Sequence, residues 1–234
     1  MKKILCSLFA ITLAATAADK PANWPQWRGP NGDGSALGET APTTWIDTKN
    51  LKWKLELPGA GASSPIIWND RVYLTSYSGY GARRGGGNFR DLKRHVVCAD
   101  AKTGKLIWKK DFAPTAAVSQ YGGMGVPEHG YASGTPATDG KALYIFFGTS
   151  GVLALDMTGK KLWQTDVGKD SSRKRWGSAT SPILHGDHVF INALQEGHKI
   201  FALHKKTGKE AWSWGPGALG SLMIIRTLMG IPRW

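Results

Sequence analysis

The chain has 234 residues, 41% of them hydrophobic, enough for one large domain or two small ones with a real core. Its two cysteines, one of them inside an N-terminal apolar run, exclude an internal disulfide framework. The net charge of +13 suits nucleic acid or an anionic surface. The export signal described next argues for solvated loops or an anionic envelope partner, with no nucleic acid expected.

Lys2 and Lys3, the apolar run from Ile4 to Leu13 and the Ala15-Thr16-Ala17 site predict a signal peptide over residues 1–18. The run is too short to anchor in a bilayer, and no other stretch predicts a transmembrane span. Cys6 leaves with the signal. Cys98, in Val-Val-Cys-Ala, reads as a small buried apolar residue rather than a reactive thiol. Residues 19–50 read as an irregular leader, because Trp24-Pro25-Gln26-Trp27-Arg28-Gly29-Pro30-Asn31-Gly32-Asp33-Gly34 is dense in Pro and Gly. Its tryptophans are expected to pack on the body of the domain or across one of its faces.

Lys52 to Leu57 alternates polar and apolar and predicts an amphipathic strand. Residues 51–214 then spell repeating units. In the first, strands are expected at Ser63–Trp68, Arg71–Tyr77, His95–Asp100 and Leu106–Phe112, with turns at Asn69-Asp70 and Thr103-Gly104. In the second they fall at Gly134–Ala137, Ala142–Phe147, Val152–Leu155 and Leu162–Val167, with turns at Asp139-Gly140 and Thr158-Gly159. In the third they fall at Ser181–Leu184, His188–Ala193, Lys199–Leu203 and Glu210–Trp214, with turns at Gly186-Asp187 and Thr207-Gly208. The Thr-Gly pairs recur at spacings of 55 and 49 residues, each followed by a tryptophan: Trp108, Trp163 and Trp212. A period in this range marks a repeat architecture. Four short strands per unit predict an all-β fold, a β-propeller of four-stranded blades with about three blades present. Gly104, Gly159 and Gly208 supply the positive φ of a tight turn, Thr103 precedes the first of them, and each tryptophan is placed to bury a flat surface between neighbouring blades. Small residues before each Ser/Thr-Pro allow close approach at the axis.

The run Cys98 to Trp108 resembles the tryptophan-docking motif of pyrroloquinoline-quinone (PQQ) type propeller repeats. Ala202 to Trp212 matches it again, with His204 where an acid is usual, and Ala154 to Trp163 is one residue shorter. The leader is similar to the start of exported propellers of this type from planctomycete-like bacteria. The resemblance covers residues 24 to 214. It implies one of two functional classes: quinoprotein dehydrogenases, with the quinone and a calcium ion near the axis, or binding scaffolds such as the propeller subunit of the outer-membrane β-barrel assembly machine. The docking motif serves both. The dehydrogenases use a vicinal cysteine pair and a Glu, Asn and Asp around calcium, none of which can be assigned here. Glu128 and Asn192 lie in no recognisable ligand pattern. The expectation is therefore a non-catalytic module with no catalytic residues, no metal and no cofactor, and PQQ with calcium only under the alternative of a dehydrogenase fragment.

Candidate binding residues lie in three long loops. The loop 113–133 carries Tyr121, Met124, Glu128, His129 and Tyr131, placed to line one mouth of a central channel. The loop 79–94 carries Arg83, Arg84, Arg90, Lys93 and Arg94 among glycines, with Tyr80 and Phe89. The segment 168–176 adds Arg173, Lys174, Arg175 and Trp176, forming one basic patch if both loops emerge on the same face. Such a patch suits an acidic envelope polymer or protein. Glu128-His129 lacks a third partner for acid–base work. His185-Gly186-Asp187-His188 reads as a hairpin turn rather than a metal cluster. From Gly215 the repeat pattern stops, and residues 215–234 form an atypical tail, expected to reflect truncation or a change of reading frame. Three blades are fewer than a closed ring needs, so self-association through exposed blade edges is also expected.

Overall fold

The computed structural model describes residues 23–36, 38, 40–81, 86–114, 120–121, 130–171 and 175–215. The signal sequence, the tail beyond Gly215, Arg83, Arg84, Met124, Glu128, His129, Arg173 and Lys174 lie outside the described residues. The rest forms three four-stranded antiparallel sheets, each built from strands consecutive in sequence. The first blade holds β1 (Ile66–Trp68), β2 (Arg71–Ser78), β3 (Lys93–Asp100) and β4 (Leu106–Phe112). The second holds β5 (Ala137–Thr138), β6 (Ala142–Phe146), β7 (Val152–Asp156) and β8 (Lys161–Thr165). The third holds β9 (Ile183–His185), β10 (His188–Ala193), β11 (Lys199–His204) and β12 (Glu210–Trp214). These are the predicted blades, with element ends moved by a few residues.

The cores lie between the blades. Tyr73, Val96 and Cys98 of the first blade pack against Leu143, Ile145 and Leu155 of the second. Tyr144, Phe146 and Val152 of the second pack against Val189, Ile191 and Leu203 of the third. The middle blade is covered on both faces, which is why β6 reads as the unbroken apolar run Ala-Leu-Tyr-Ile-Phe and is buried throughout. In β10, by contrast, Val189, Ile191 and Ala193 are buried while Asn192 is exposed, as expected of a strand with one covered face.

Each third–fourth strand pair carries a register shift at the same place, after Cys98, Ala154 and Ala202. These residues stand opposite Trp108, Trp163 and Trp212. The irregularity re-aims the strand, and the small residue leaves room for the ring. The rings of Trp108 and Trp163 then reach the glycine turn of the next blade. A Cβ added to Gly208 would lie 2.5 Å from the Trp163 ring, and one on Gly159 would lie 3.1 Å from Trp108. The indole nitrogens donate to turn carbonyls, Trp108 to Met157 at 3.3 Å and Trp163 to Lys205 at 2.8 Å.

Two features correct the sequence reading. Residues 51–57 form no strand, because among the described residues no open sheet edge pairs with them. Trp53 nonetheless docks as Trp108 and Trp163 do: its ring covers Gly104 and its Nε1 donates to the Ala101 carbonyl at 2.9 Å. The predicted strand starts at Ser63, Gly134 and Ser181 are also too early, since pairing begins only at Ile66, Ala137 and Ile183. The residues before the prolines stitch blade to blade instead. The Ser64 N–H donates to Thr135 Oγ1, and the Thr135 N–H donates to Ser181 Oγ, both at 3.0 Å. Close approach is visible at Gly134, where an added Cβ would lie 2.7 Å from the Thr180 carbonyl oxygen.

Trp24 and Pro25 lie beside the first strands of the first two blades. Trp24 exchanges two backbone hydrogen bonds with Ile67, and the Pro25 carbonyl accepts from the Thr138 N–H at 2.9 Å. Trp24 is half-buried, whereas Trp27 is 51% exposed with the Arg28 guanidinium 4.6 Å from its ring centre.

Candidate functional site

Antiparallel order sends the first–second and third–fourth strand turns of every blade to one end, and the second–third turns and the connections between blades to the other. The turn end carries Asn69-Asp70, Asp139-Gly140, Gly186-Asp187 and the three Thr-Gly pairs. Asp100 and Asp156 tie those turns by accepting from Thr103 and Thr158, and these hydrogen bonds hold both carboxyls below their ordinary value. His185-Gly186-Asp187-His188 is a turn here, with the two histidines paired across the hairpin.

The loop end is the candidate site. Its floor is an aromatic cluster of Tyr77, Leu92, Tyr121, Tyr131 and Ala132, flanked by Tyr80 and Phe89. Tyr121 and Tyr131 stack with ring centres 4.2 Å apart, and the Tyr121 N–H donates to Tyr131 Oη at 2.8 Å. Tyr77 meets Tyr131 edge-on at 5.6 Å, and Phe89 lies 6.2 Å from it. Gly177 sits so close to Tyr121 that an added Cβ would lie 2.1 Å from the ring. The cluster therefore joins the loop 79–92 to the segment 175–178. Arg90, Arg175 and Trp176, which lie on connections between strands, are exposed. Tyr121 and Tyr131 are not open lining residues: they are 8% and 3% exposed and hold the rim together. Burial pushes the Tyr131 hydroxyl up to about 12.

Two charged groups lie beneath this rim. Arg94, 1% exposed, donates from Nε to the Tyr131 carbonyl at 3.1 Å and from Nη1 to Ser150 Oγ at 2.7 Å. Its guanidinium lies 5.4 Å from the Phe147 ring centre, and burial lowers its pKa from the ordinary value. Glu196, 4% exposed, accepts from Ser178 Oγ. Its carboxyl is raised by burial, against which the Ser178 hydrogen bond acts. The raised value means that the folded state binds this proton more tightly than the unfolded chain. The stability it contributes is present below the ordinary carboxylate value of 4.5 and is lost as pH rises through the folded value. Glu196→Gln is therefore expected to stabilise the protein at about pH 7.5 and to make little difference near pH 4. Thermal melts at the two pH values check this, and equal effects at both would refute it.

Like Glu196, His95 escaped the sequence reading. His95 is buried in β3, with Nδ1 2.8 Å from Asp111 Oδ1 and Nε2 2.8 Å from Ser78 Oγ. The His95 contact, then Lys109, holds the Asp111 carboxyl below its ordinary value. The row crosses β2, β3 and β4 and ties them together. Period-2 spacing within each strand hints at it, but only register brings the three residues into line.

A quinone with calcium calls for several converging oxygen ligands and, in the dehydrogenases, paired cysteines. Among the described residues no three His, Cys, Asp or Glu side chains converge on a metal position. Cys98 is buried in the seam between the first two blades, its thiol pushed up to about 11 by burial.

Comparison with known proteins agrees with the architecture. The family described as outer membrane protein assembly factor BamB, of PQQ type, matches residues 39–167 and again 92–227. A polyvinylalcohol dehydrogenase from Pseudomonas sp is 27% identical over 185 residues, spanning 79% of this chain and 24% of that protein. A europium-containing methanol dehydrogenase superposes with a TM-score of 0.51 at 17% identity, over 83% of this chain and 32% of that one. A quinohemoprotein alcohol dehydrogenase from Comamonas testosteroni gives 0.51 at 17%, over 85% and 28%. The structural likenesses speak to fold alone, and the chain spans a third or less of each relative's length. The three Trp–Gly seams, the repeated register shift and the twofold family match together place this chain in the PQQ-like β-propeller repeat family.

Proposed function

We propose that this chain is part of an exported, non-catalytic binding module of the cell envelope that holds an acidic protein or anionic polymer on its loop rim. The observation that carries this is the asymmetry of the two ends. One end is closed by tight turns, with Trp24 and Pro25 laid beside the strands β1 and β5. The other presents Arg90, Arg175 and Trp176 over a packed aromatic floor. A rigid floor under exposed cations favours recognition of negative charge at low ordering cost. The N-terminal Lys2, Lys3 and apolar run support export, and the family description supports an envelope setting.

Binding of fluorescent polyglutamate, measured by anisotropy against salt, tests the reading. The double variant Arg90→Glu/Arg175→Glu is expected to weaken binding about three- to tenfold, as exposed charges do, and to flatten the salt dependence. Unchanged binding sinks the proposal. The likeness to polyvinylalcohol dehydrogenase favours a second reading, a segment of a quinone-dependent dehydrogenase whose chemistry resides in the length this chain does not span. Dye reduction by the full gene product with quinone and calcium would support it.

A further inference from the structure

The third blade departs from the other two at one pair of positions. In the first blade Arg71 stands opposite Asp100, and in the second Ala142 stands opposite Asp156. Each aspartate turns its carboxyl back into its own Thr-Gly turn and accepts from the threonine. In the third blade both positions are histidine: His188 of β10 stands opposite His204 of β11. There the turn is held by the His204 backbone carbonyl, which accepts from the Thr207 and Gly208 N–H groups. The imidazole is left for another use.

The pair is set for close approach. The Lys205 N–H donates to the Asp187 carbonyl at 2.9 Å. That bond between the flanking residues makes His188 and His204 a non-hydrogen-bonded antiparallel pair, the kind whose side chains come nearest each other. Their ring centres are 4.9 Å apart, with the planes tilted by 39°. His188 is half-buried, with the Phe190 ring 6.2 Å away, and His204 is exposed. Among the described residues neither imidazole has a hydrogen bond or an ion pair. The adjacent cation, Lys205, is engaged by Asp139 at 3.5 Å. Two neutral imidazoles on neighbouring strands offer two corners of a tetrahedral ion that prefers nitrogen, with water at the others. No third His, Cys, Asp or Glu among the described residues converges with them, so two protein ligands make up the site.

We infer that His188 and His204 bind a transition-metal ion of the zinc class at the turn end of the third blade. The site lies at the opposite end from the loop rim and does not depend on the partner reading.

Zinc alone is the probe, titrated by calorimetry into the untagged full chain, with magnesium as the contrast. Saturable binding of zinc and none of magnesium is expected, because magnesium takes oxygen ligands. His188→Gln and His204→Gln should each weaken zinc binding by at least about tenfold, since even loss of a ligand's supporting hydrogen bond reaches that size. His185→Gln, across the hairpin from His188, and His198→Gln, at the histidine bonded to Asp170, should leave it unchanged. Zinc should also protect His188 and His204 of the unaltered protein from diethyl pyrocarbonate, read by mass spectrometry, which locates the ion without any variant. Absence of saturable zinc binding, full binding in the His188 and His204 variants, or modification of both histidines at the same rate with and without zinc overturns the proposal.

Discussion

Trp163→Ala is expected to destabilise the protein by about 3–5 kcal/mol, in the range of large-to-small changes at packed aromatic sites. The ring closes the seam between the second and third blades. It covers Gly208, packs 6.0 Å from Tyr144, and donates from its indole to the Lys205 carbonyl. Truncation removes apolar contact from both blades and orphans a turn carbonyl at once. Gly208 cannot compensate by growing, because its φ of +69° lies where L side chains are strained and the space is already taken by the ring. The control is Trp212→Ala. That ring packs on Phe190 of its own blade at 5.8 Å, and no described blade lies beyond it, so the loss should stay near about 1–2 kcal/mol. Urea unfolding of the two variants side by side decides the matter. Equal losses would mean that the tryptophans act within blades rather than between them.

Tyr131→Ala should rank next, at about 3–5 kcal/mol, and its effect should concentrate at the loop end. Tyr131 stacks on Tyr121, meets Tyr77 edge-on, touches Tyr80 and Phe89, and receives the Tyr121 N–H on its hydroxyl. Tyr131→Phe keeps the ring and removes only that acceptor, so it should cost about 1 kcal/mol. Hydrogen exchange is the fitting readout: the alanine variant should speed exchange at residues 86–92 and 175–178 while β6 and β7 keep their protection. If the two variants behave alike, the cluster is a surface feature and not the floor of the site.

Much of the fold was legible because its determinants are local. A glycine turn, a tryptophan four positions on and a Ser/Thr-Pro start are readable without knowing any partner, and their recurrence supplied the blade boundaries. Strand edges were less legible: Ser63 and Ser181 look like strand residues, yet their hydroxyls serve as acceptors for strand and inter-blade N–H groups. The segment 52–57 alternates as a strand should, but alternation describes only a face, and a ladder also needs a neighbour. The site was legible in part. Tyr121 and Tyr131 stood out as loop aromatics, and Arg90 and Arg175 as loop cations. That the tyrosines are floor and the arginines are rim depends on packing across three loops. Arg94 was read as one more loop cation, although it stands opposite Tyr77 in a ladder and points into the seam. Glu196 and the Ser78–His95–Asp111 row are non-local pairings that no spacing within one segment reveals.

The seams also bear on how such chains change over generations. Every described seam is made by the same pair, a ring from one unit and a glycine turn from the next. Energetics that couple only adjacent units behave as a one-dimensional array. Duplicating or deleting one unit in register then creates no interface that has not already been tested by selection. The long connections at the opposite end take no part in that pairing. They are free to vary in length and charge while the array persists, so diversification of binding and growth of the array are separate evolutionary variables in this architecture.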